Sequence, residues 1–134
     1  MADALNDFDL DLLRGKNFAH FATIGEDGAP HVTVTWMDTD GTHVLINSAA
    51  GRVKDLHILA DPRVNVSIHD QSDGYRYVSI RGVVEDRLTG DEAEKGIDVL
   101  NRKYHDDEPW TYKEDQVRVL YRIRPQRILR YNDD

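Results

Sequence analysis

The chain has 134 residues, no cysteine and a formal charge of −8, from 25 acidic and 17 basic side chains. This length predicts a single domain over residues 1–134. The lack of cysteine excludes disulfides, thiolate metal ligands and a cysteine nucleophile. The acidic balance argues against nucleic-acid binding, because phosphate contacts need a clustered cationic surface.

The N-terminal segment predicts a short helix. Leu5, Phe8, Leu12 and Leu13 recur near helical spacing, and Gly15 follows them in the position of a C-cap. We expect this helix to lie across the mouth of a barrel. The segment lacks the basic start and apolar centre of a signal peptide, and no apolar run is long enough to cross a bilayer. We therefore expect a cytoplasmic protein with no membrane partner.

The next segment predicts a β-hairpin. Residues 19–24 and 31–37 have strand composition and are joined by a turn of glycine and acidic residues. In the second strand, Val32, Val34 and Trp36 share one face and alternate with polar residues on the other. This alternation is typical of a half-buried strand.

The middle of the chain alternates between strand and helix patterns. The predicted elements are a turn at 38–41, a strand at 43–47, a nine-residue helix that is stopped by Asp61 and Pro62, a strand at 64–69 and a long strand at 75–86. The apolar residues of this helix are Val53, Leu56, Leu59 and Ala60. Gly82, inside the long strand, predicts a bulge or bend of the kind that barrels use at corners.

The last third predicts a helix and two strands. A capping-box pattern at 89–92 opens a helix whose apolar stripe ends at Tyr104. Strands are predicted at 117–123 and 127–131, separated by Pro125. The whole pattern predicts a mostly β protein, an antiparallel barrel of six or seven strands with two to three short helices.

The most informative local feature is the sequence SAAGRVK, residues 48–54, where a glycine-containing loop leaves a strand and opens a helix. Arg52 and Lys54 lie at the start of that helix, where unpaired N–H groups already carry partial positive charge. A bound phosphate would satisfy both cations. Ion pairs with Asp55, Asp61 or another surface carboxylate account for the same pattern equally well.

Other motifs are less specific. Trp36, Tyr75, Tyr77, Trp110 and Tyr112 have the chemistry to line a groove for a planar ligand, although core packing explains each one alone. The six histidines have no metal-ligand spacing, so we expect no metal site. The signatures GxSxG, P-loop and GxGxxG are missing as well.

The order of motifs resembles a known family. The segments are FATIGEDGAPHVTVTWMD, VLINSAAGRVKDL, DPRVNVSIHD, YRYVSIRGVVE, RKY in the late helix and VRVLYRIRPQRI. Together they resemble the pyridoxamine 5′-phosphate oxidase-like split-barrel superfamily. More narrowly, they are similar to its branch of reductases that depend on the deazaflavin coenzyme F420.

The resemblance implies a six-stranded split β-barrel, a symmetric homodimer and two cofactor sites between the subunits. It implies that Arg52 and Lys54 bind the cofactor phosphate and that the backbone of Val32, Thr33 and Val34 contacts the ring. Ile46, Asn47 and Ser48 would lie along the ribityl chain and phosphate, with Ala49 and Gly51 in the same loop. Tyr75 and Tyr77 would be contributed across the dimer interface.

The resemblance also implies an F420-dependent oxidoreductase that transfers hydride between the deazaflavin and a small conjugated substrate. FMN in the same fold is the alternative cofactor, and a non-catalytic flavin- or tetrapyrrole-binding protein is a further alternative. The chain ends soon after Tyr131, without the C-terminal segment that pyridoxamine phosphate oxidases use to bind their substrate, so we do not expect that reaction. No catalytic side chain is assigned.

Overall fold

The computed structural model describes residues 1–132, which form three helices and seven strands. In chain order these are α1 (Asp7–Arg14), β1 (Ala19–Ile24), β2 (Pro30–Thr35), β3 (Asp38–Thr39), β4 (Val44–Ala49), α2 (Val53–Ala60), β5 (Arg63–Asp70), β6 (Asp73–Leu88), α3 (Asp91–Tyr104) and β7 (Arg118–Tyr131). None of these helices is long and apolar enough to span a membrane.

The strands form one antiparallel sheet in the order β2-β1-β5-β6-β7-β4-β3. The mostly β class and the split-barrel architecture agree with the prediction, but the described sheet has seven strands and not six. The additional strand is β3, at a position where the sequence predicted only a turn. It forms because Asp38 and Thr39 pair with Leu45 and Val44, and Thr39 Oγ1 donates to the His43 carbonyl at 2.7 Å.

The predicted break at Pro125 is wrong, because β7 is one continuous strand of 14 residues. Pro125 lies opposite Gly82, where the register between β6 and β7 shifts. A residue without an N–H is tolerated at such an irregularity. The irregularity predicted at Gly82 is confirmed, since the register with β7 shifts between Arg81 and Gly82. The backbones are close there, and a Cβ at Gly82 would lie 2.6 Å from the Arg124 carbonyl oxygen.

The alternation predicted in β2 is present, but the strand ends at Thr35 and its valines lie on the exposed face. Val32 is 58% exposed and Val34 is 61% exposed, whereas Thr35 is buried. Because β2 is an edge of the sheet, this chain presents an apolar face beside unpaired backbone groups.

Two helix starts differ in how they are capped. At α1, Asn6 and Asp9 form a reciprocal capping box, and the buried Asp9 carboxylate accepts hydrogen bonds of 2.8 and 2.7 Å from Arg130. The capping box predicted at 89–92 is absent from α3. Its N-cap is Gly90, with φ of 73°, which has no side chain to accept from the helix.

The core fills the interior of the curved sheet. Phe21, Tyr121 and the β-branched residues of the central strands are almost completely buried, and Leu12 and Leu13 of α1 close one end. α3 is joined to that end by Lys103, whose Nζ donates to the carbonyls of Leu13 at 2.7 Å and Met37 at 2.6 Å. Burial lowers the pKa of Lys103 to about 8.

Candidate functional site

A cleft of about 340 Å³ opens between β2, the start of α2 and α3. We call it the cationic cleft. Its lining consists of Phe18, Val34, Thr35, Trp36, Asn47, Arg52, Lys54, Ile97, Leu100, Trp110 and Arg118. The lining includes three cations and three aromatic side chains, and within the described chain no lining residue is a carboxylate. The volume lies in the range of small-molecule sites.

The loop after β4 places two of the cations. Gly51 has φ of 87°, a conformation that favours glycine, and Arg52 follows as the extended N-cap of α2. Arg52 makes no side-chain capping bond to the helix. Lys54 lies in the first turn, so both cations stand at a helix terminus that is itself electropositive.

The three cations repel one another. Burial lowers the pKa of Lys54, and the nearby charges of Arg52 and Arg118 lower it further. The pKa of Arg118 is lowered by burial and by Arg52, with Glu94 acting in the opposite direction. Like charges held together in a partly buried cleft are unfavourable unless an anion compensates them.

The alternative that Arg52 and Lys54 serve in ordinary ion pairs does not agree with the structure. Asp55 is buried and binds Arg87, and Asp61 binds Arg63 at 2.7 Å. Among residues 1–132, no carboxylate forms an ion pair with Arg52 or Lys54. These two cations are available to a ligand.

Arg118 is a cleft residue that sequence reasoning missed. Its Nε donates to Asn47 Oδ1 at 3.0 Å, and its guanidinium lies 5.3 Å from the centre of the Trp110 ring. It reaches the cleft because β7 pairs with β4, with Arg118 opposite Ala49. Nothing local distinguishes this arginine from the other arginines of β7, so only the long-range register reveals it.

Four buried polar side-chain atoms in residues 1–132 have no hydrogen-bond partner. They are the hydroxyls of Thr33, Thr35 and Ser48 and the indole Nε1 of Trp110. Thr35 and Trp110 line the cleft, whereas Ser48 lies in β4, which leads to residues 50–52, the cationic loop. Buried donors without partners are costly. A ligand that bears a phosphate and polar substituents fits this set of cations and donors.

The cleft brings together four of the residues predicted for the cofactor, namely Val34, Asn47, Arg52 and Lys54. Val32 lies on the same exposed face of β2 as Val34, with Thr33 between them. Ser48, Ala49 and Gly51 immediately precede the cations but do not line the cleft. Ile46 is fully buried in the core, so only its backbone can contact a ligand.

The predicted tyrosines lie outside the cationic cleft. Tyr75 is 76% exposed near the start of β6, and Tyr77 stacks on Tyr131 with ring centres 5.3 Å apart. In one chain the structure does not bring them to the cations. Their predicted role requires a second copy of the chain.

The aromatic part of the cleft is held rigidly. Trp36 stacks on Tyr104, with ring centres 5.1 Å apart and planes inclined by 7°. The Tyr104 hydroxyl in turn donates to the Asn17 carbonyl. Burial raises the pKa of Tyr104 to about 12, so the phenol stays neutral and keeps its donor.

A second groove lies on the opposite side of α2. It measures about 760 Å³, and its lining includes His31, His57, Val53 and Leu56. Thr23 Oγ1 lies 2.9 Å from His57 Nδ1, which fixes that imidazole. The groove contains none of the three cations. Residues 1–132 hold no group of three or more potential metal ligands.

Comparison with known proteins agrees with this geometry. The family model for pyridoxamine 5′-phosphate oxidase matches residues 5–132. The chain belongs to the pyridoxamine 5′-phosphate oxidase family. Membership in this family confirms the resemblance inferred from the sequence motifs. No curated protein matches the chain.

Solved structures of the family's fold are similar over most of the chain. A protein described as an F420 reductase is 32% identical, with a TM-score of 0.78, covering 89% of this chain and 94% of its own. The conserved hypothetical protein Rv2991 of Mycobacterium tuberculosis is 24% identical, with a TM-score of 0.76 and coverage of 96% and 86%. HupZ of Group A Streptococcus is 16% identical, with a TM-score of 0.63 and coverage of 92% and 97%. The last two show the fold alone.

Proposed function

We propose that this protein binds F420 in the cationic cleft and is an F420-dependent oxidoreductase, which transfers hydride between the deazaflavin and a small conjugated substrate. The observation that carries the proposal is the cluster of Arg52, Lys54 and Arg118 in a cleft to whose lining the described residues contribute no carboxylate. The 32% identity to a protein described as an F420 reductase favours this cofactor.

The chain's own groups have separate roles in this proposal. Arg52, Lys54 and Arg118 bind the phosphate, and Asn47 orients Arg118 through their 3.0 Å hydrogen bond. Trp36, stacked on Tyr104, provides a flat wall beside the ring. The bound cofactor supplies the hydride chemistry. The protein contributes position and orientation, which are large factors in a bimolecular transfer.

We further propose that the working form is a homodimer in which the partner contributes Tyr75 and Tyr77. The exposed valines of β2 support an interface at this edge, because apolar side chains beside an unpaired strand favour association. Val53, Leu56 and Leu59 on α2 are also more than half exposed. Burial of these side chains would stabilise a dimer.

FMN is the alternative cofactor, since the same three cations suit any phosphate ester. The experiment is a titration of the purified protein with F420 and with FMN. Both tryptophans of the chain, Trp36 and Trp110, line the cleft, so their fluorescence reports binding. We expect tighter binding of F420 and oxidation of reduced F420 by a quinone, enone or bilin acceptor.

Other outcomes would change the assignment. A protein that purifies with bound yellow FMN, and prefers FMN in the titration, would contradict the F420 proposal and support a flavin-dependent enzyme. F420 binding without turnover of any of the three acceptor classes would support a carrier of the cofactor. Binding of neither compound would contradict the proposed function altogether.

A further inference from the structure

Asp55 is a buried carboxylate directly behind the cationic loop. It lies in the first turn of α2 and is 1% exposed. Its oxygens accept from Arg87 Nε and Nη2, both at 2.9 Å, from the Tyr121 hydroxyl at 2.6 Å and from the Gly51 N–H at 3.1 Å. Although burial opposes ionisation, these donors hold the pKa of Asp55 below its ordinary value. The carboxylate is therefore charged and fully occupied.

The partner of Asp55 is not the one that local sequence favours. Arg52 precedes Asp55 by three positions, a spacing at which oppositely charged side chains on a helix start commonly pair. Lys54 is its direct neighbour in sequence. Instead, the carboxylate binds Arg87, which comes from β6 and is 32 positions away. Within the part of the chain that the structure describes, Arg52 and Lys54 are left without a carboxylate partner.

We propose that Arg87 is a positioning residue for the anion site: by binding both oxygens of Asp55, it keeps Arg52 and Lys54 unpaired for the phosphate of the ligand. The inference rests on the proposed function for the identity of the ligand, but it applies to any phosphate that binds there.

The electrostatic consequence is specific. With Arg87 present, the ligand meets three cations beside a neutral Asp55–Arg87 pair. Without Arg87, the same carboxylate opposes the ligand's charge and competes for the loop cations. In a partly buried site this change is strong, because charges are screened less than in water. Removal of the Asp55 charge as well should therefore restore binding.

The test compares Arg87→Met, Asp55→Asn and the double variant, with inorganic phosphate and F420 as separate probes. Arg87→Met should weaken both ligands by about tenfold or more, a loss of about 1.4 kcal/mol. The double variant and Asp55→Asn should bind within about threefold of the unmodified protein. Arg63→Met is the matched control, since it also removes an arginine from a carboxylate, Asp61, and should change binding little.

Thermal unfolding of each variant separates this role from a structural one. If Arg87 acted only through stability, the double variant would bind no better than Arg87→Met, and that result would overturn the inference. Unchanged phosphate affinity in Arg87→Met would overturn it too. If Arg87→Met does not fold, the phosphate affinity of Asp55→Asn tests the inference instead. A purely structural role of the Asp55–Arg87 pair predicts weaker phosphate binding in Asp55→Asn, whereas our inference predicts little change.

The two proposals fail in different ways. A protein that binds inorganic phosphate with the expected variant pattern, but binds neither F420 nor FMN, would contradict the proposed function and support the role of Arg87. A protein that binds neither inorganic phosphate at millimolar concentration nor F420 nor FMN would contradict both.

Discussion

Arg118 Nε donates to Asn47 Oδ1 at 3.0 Å, and Asn47 Nδ2 donates to the Ala93 carbonyl at 2.9 Å. The amide of Asn47 thus joins the third cation of the cleft to the start of α3. Because Arg118 is almost completely buried, its charge costs free energy unless a ligand compensates it. This relationship makes Arg118 the most direct test of the cleft.

We expect Arg118→Met to weaken F420 binding by about tenfold or more, because it removes one charge-assisted contact to the phosphate. Stability should fall little or rise, since a buried cation is replaced by an apolar side chain of similar length. Fluorescence titration and thermal unfolding measure the two effects. Arg124→Met, on the same strand but outside the cleft, is the control. Equal affinities of Arg118→Met and Arg124→Met for F420 would contradict the assignment of Arg118 to the phosphate site.

Arg52→Ala combined with Lys54→Ala should weaken cofactor binding by about a hundredfold, the sum of two charge-assisted contacts. The melting temperature should change little or rise, because the two cations have no carboxylate partner among residues 1–132 and repel Arg118. The charge-matched control removes Arg14 and Arg127, which are exposed and outside the cleft. An unaltered affinity in the first double variant would refute the phosphate assignment.

The close approach of β6 and β7 at Gly82 predicts that adding one methyl group, in Gly82→Ala, lowers the free energy of unfolding considerably. A Cβ there would lie 2.6 Å from the Arg124 carbonyl oxygen and 2.8 Å from Ile123 Cγ2. Gly82→Ala should destabilise the protein by about 2 kcal/mol or more, because β6 and β7 must separate. Gly74→Ala on the same strand meets no atom within 4 Å and should be nearly neutral. Chemical denaturation compares the two, and equal stabilities would contradict the described register.

His43 should make stability depend on pH. Burial disfavours its charge, but hydrogen bonds to Glu85 at 2.7 Å and Asp40 at 2.9 Å prevail and raise its pKa above 6.5. The stabilisation is therefore complete below about pH 6.5 and is lost as the pH rises through the folded-state pKa. His43→Gln should cost more stability at about pH 5.5 than at about pH 9. A cost that is constant across this range would contradict the assignment.

The dimer proposal has its own test. We expect light scattering to give twice the mass of the 15.4 kDa chain. Val32→Asp should shift the protein toward monomers, because it places a charge on the apolar edge strand. Val99→Asp is the control, since Val99 is 52% exposed on α3 and Val32 is 58% exposed on β2. A monomeric unmodified protein would contradict the interface and the roles of Tyr75 and Tyr77 that depend on it.

Elements with local periodicity were predictable from the sequence. β1 has the predicted bounds, and α2 lies where the spacing of Val53, Leu56, Leu59 and Ala60 predicted a helix, because side-chain alternation and helical spacing are properties of neighbouring residues. β3 and Arg118 were not predictable. Their positions depend on which distant strand lies beside them, and no short segment encodes that pairing.

In the candidate site, too, local features were predictable from the sequence and long-range contacts were not. The prediction of a phosphate loop at Arg52 and Lys54 needed only the charge pattern at one helix start, and the structure places both side chains in one cleft. That Asp55 binds Arg87 rather than Arg52 or Lys54 could not be read from the sequence, because Arg87 belongs to a strand 32 positions away. The assignment of Tyr75 and Tyr77 to the cofactor stays a prediction.

Lys103 shows how the closed end of the barrel responds to alkaline solution. Its Nζ has two carbonyl acceptors, and a neutral amine still has two hydrogens to donate, so both contacts survive loss of the proton. Its pKa of about 8 lies below the ordinary value of 10.5, so the folded chain releases this proton before the unfolded chain does. Between these two pKa values, a rise in pH therefore increases the contribution of Lys103 to the free energy of unfolding. The contact between α3 and α1 through Lys103 should persist in mildly basic solution.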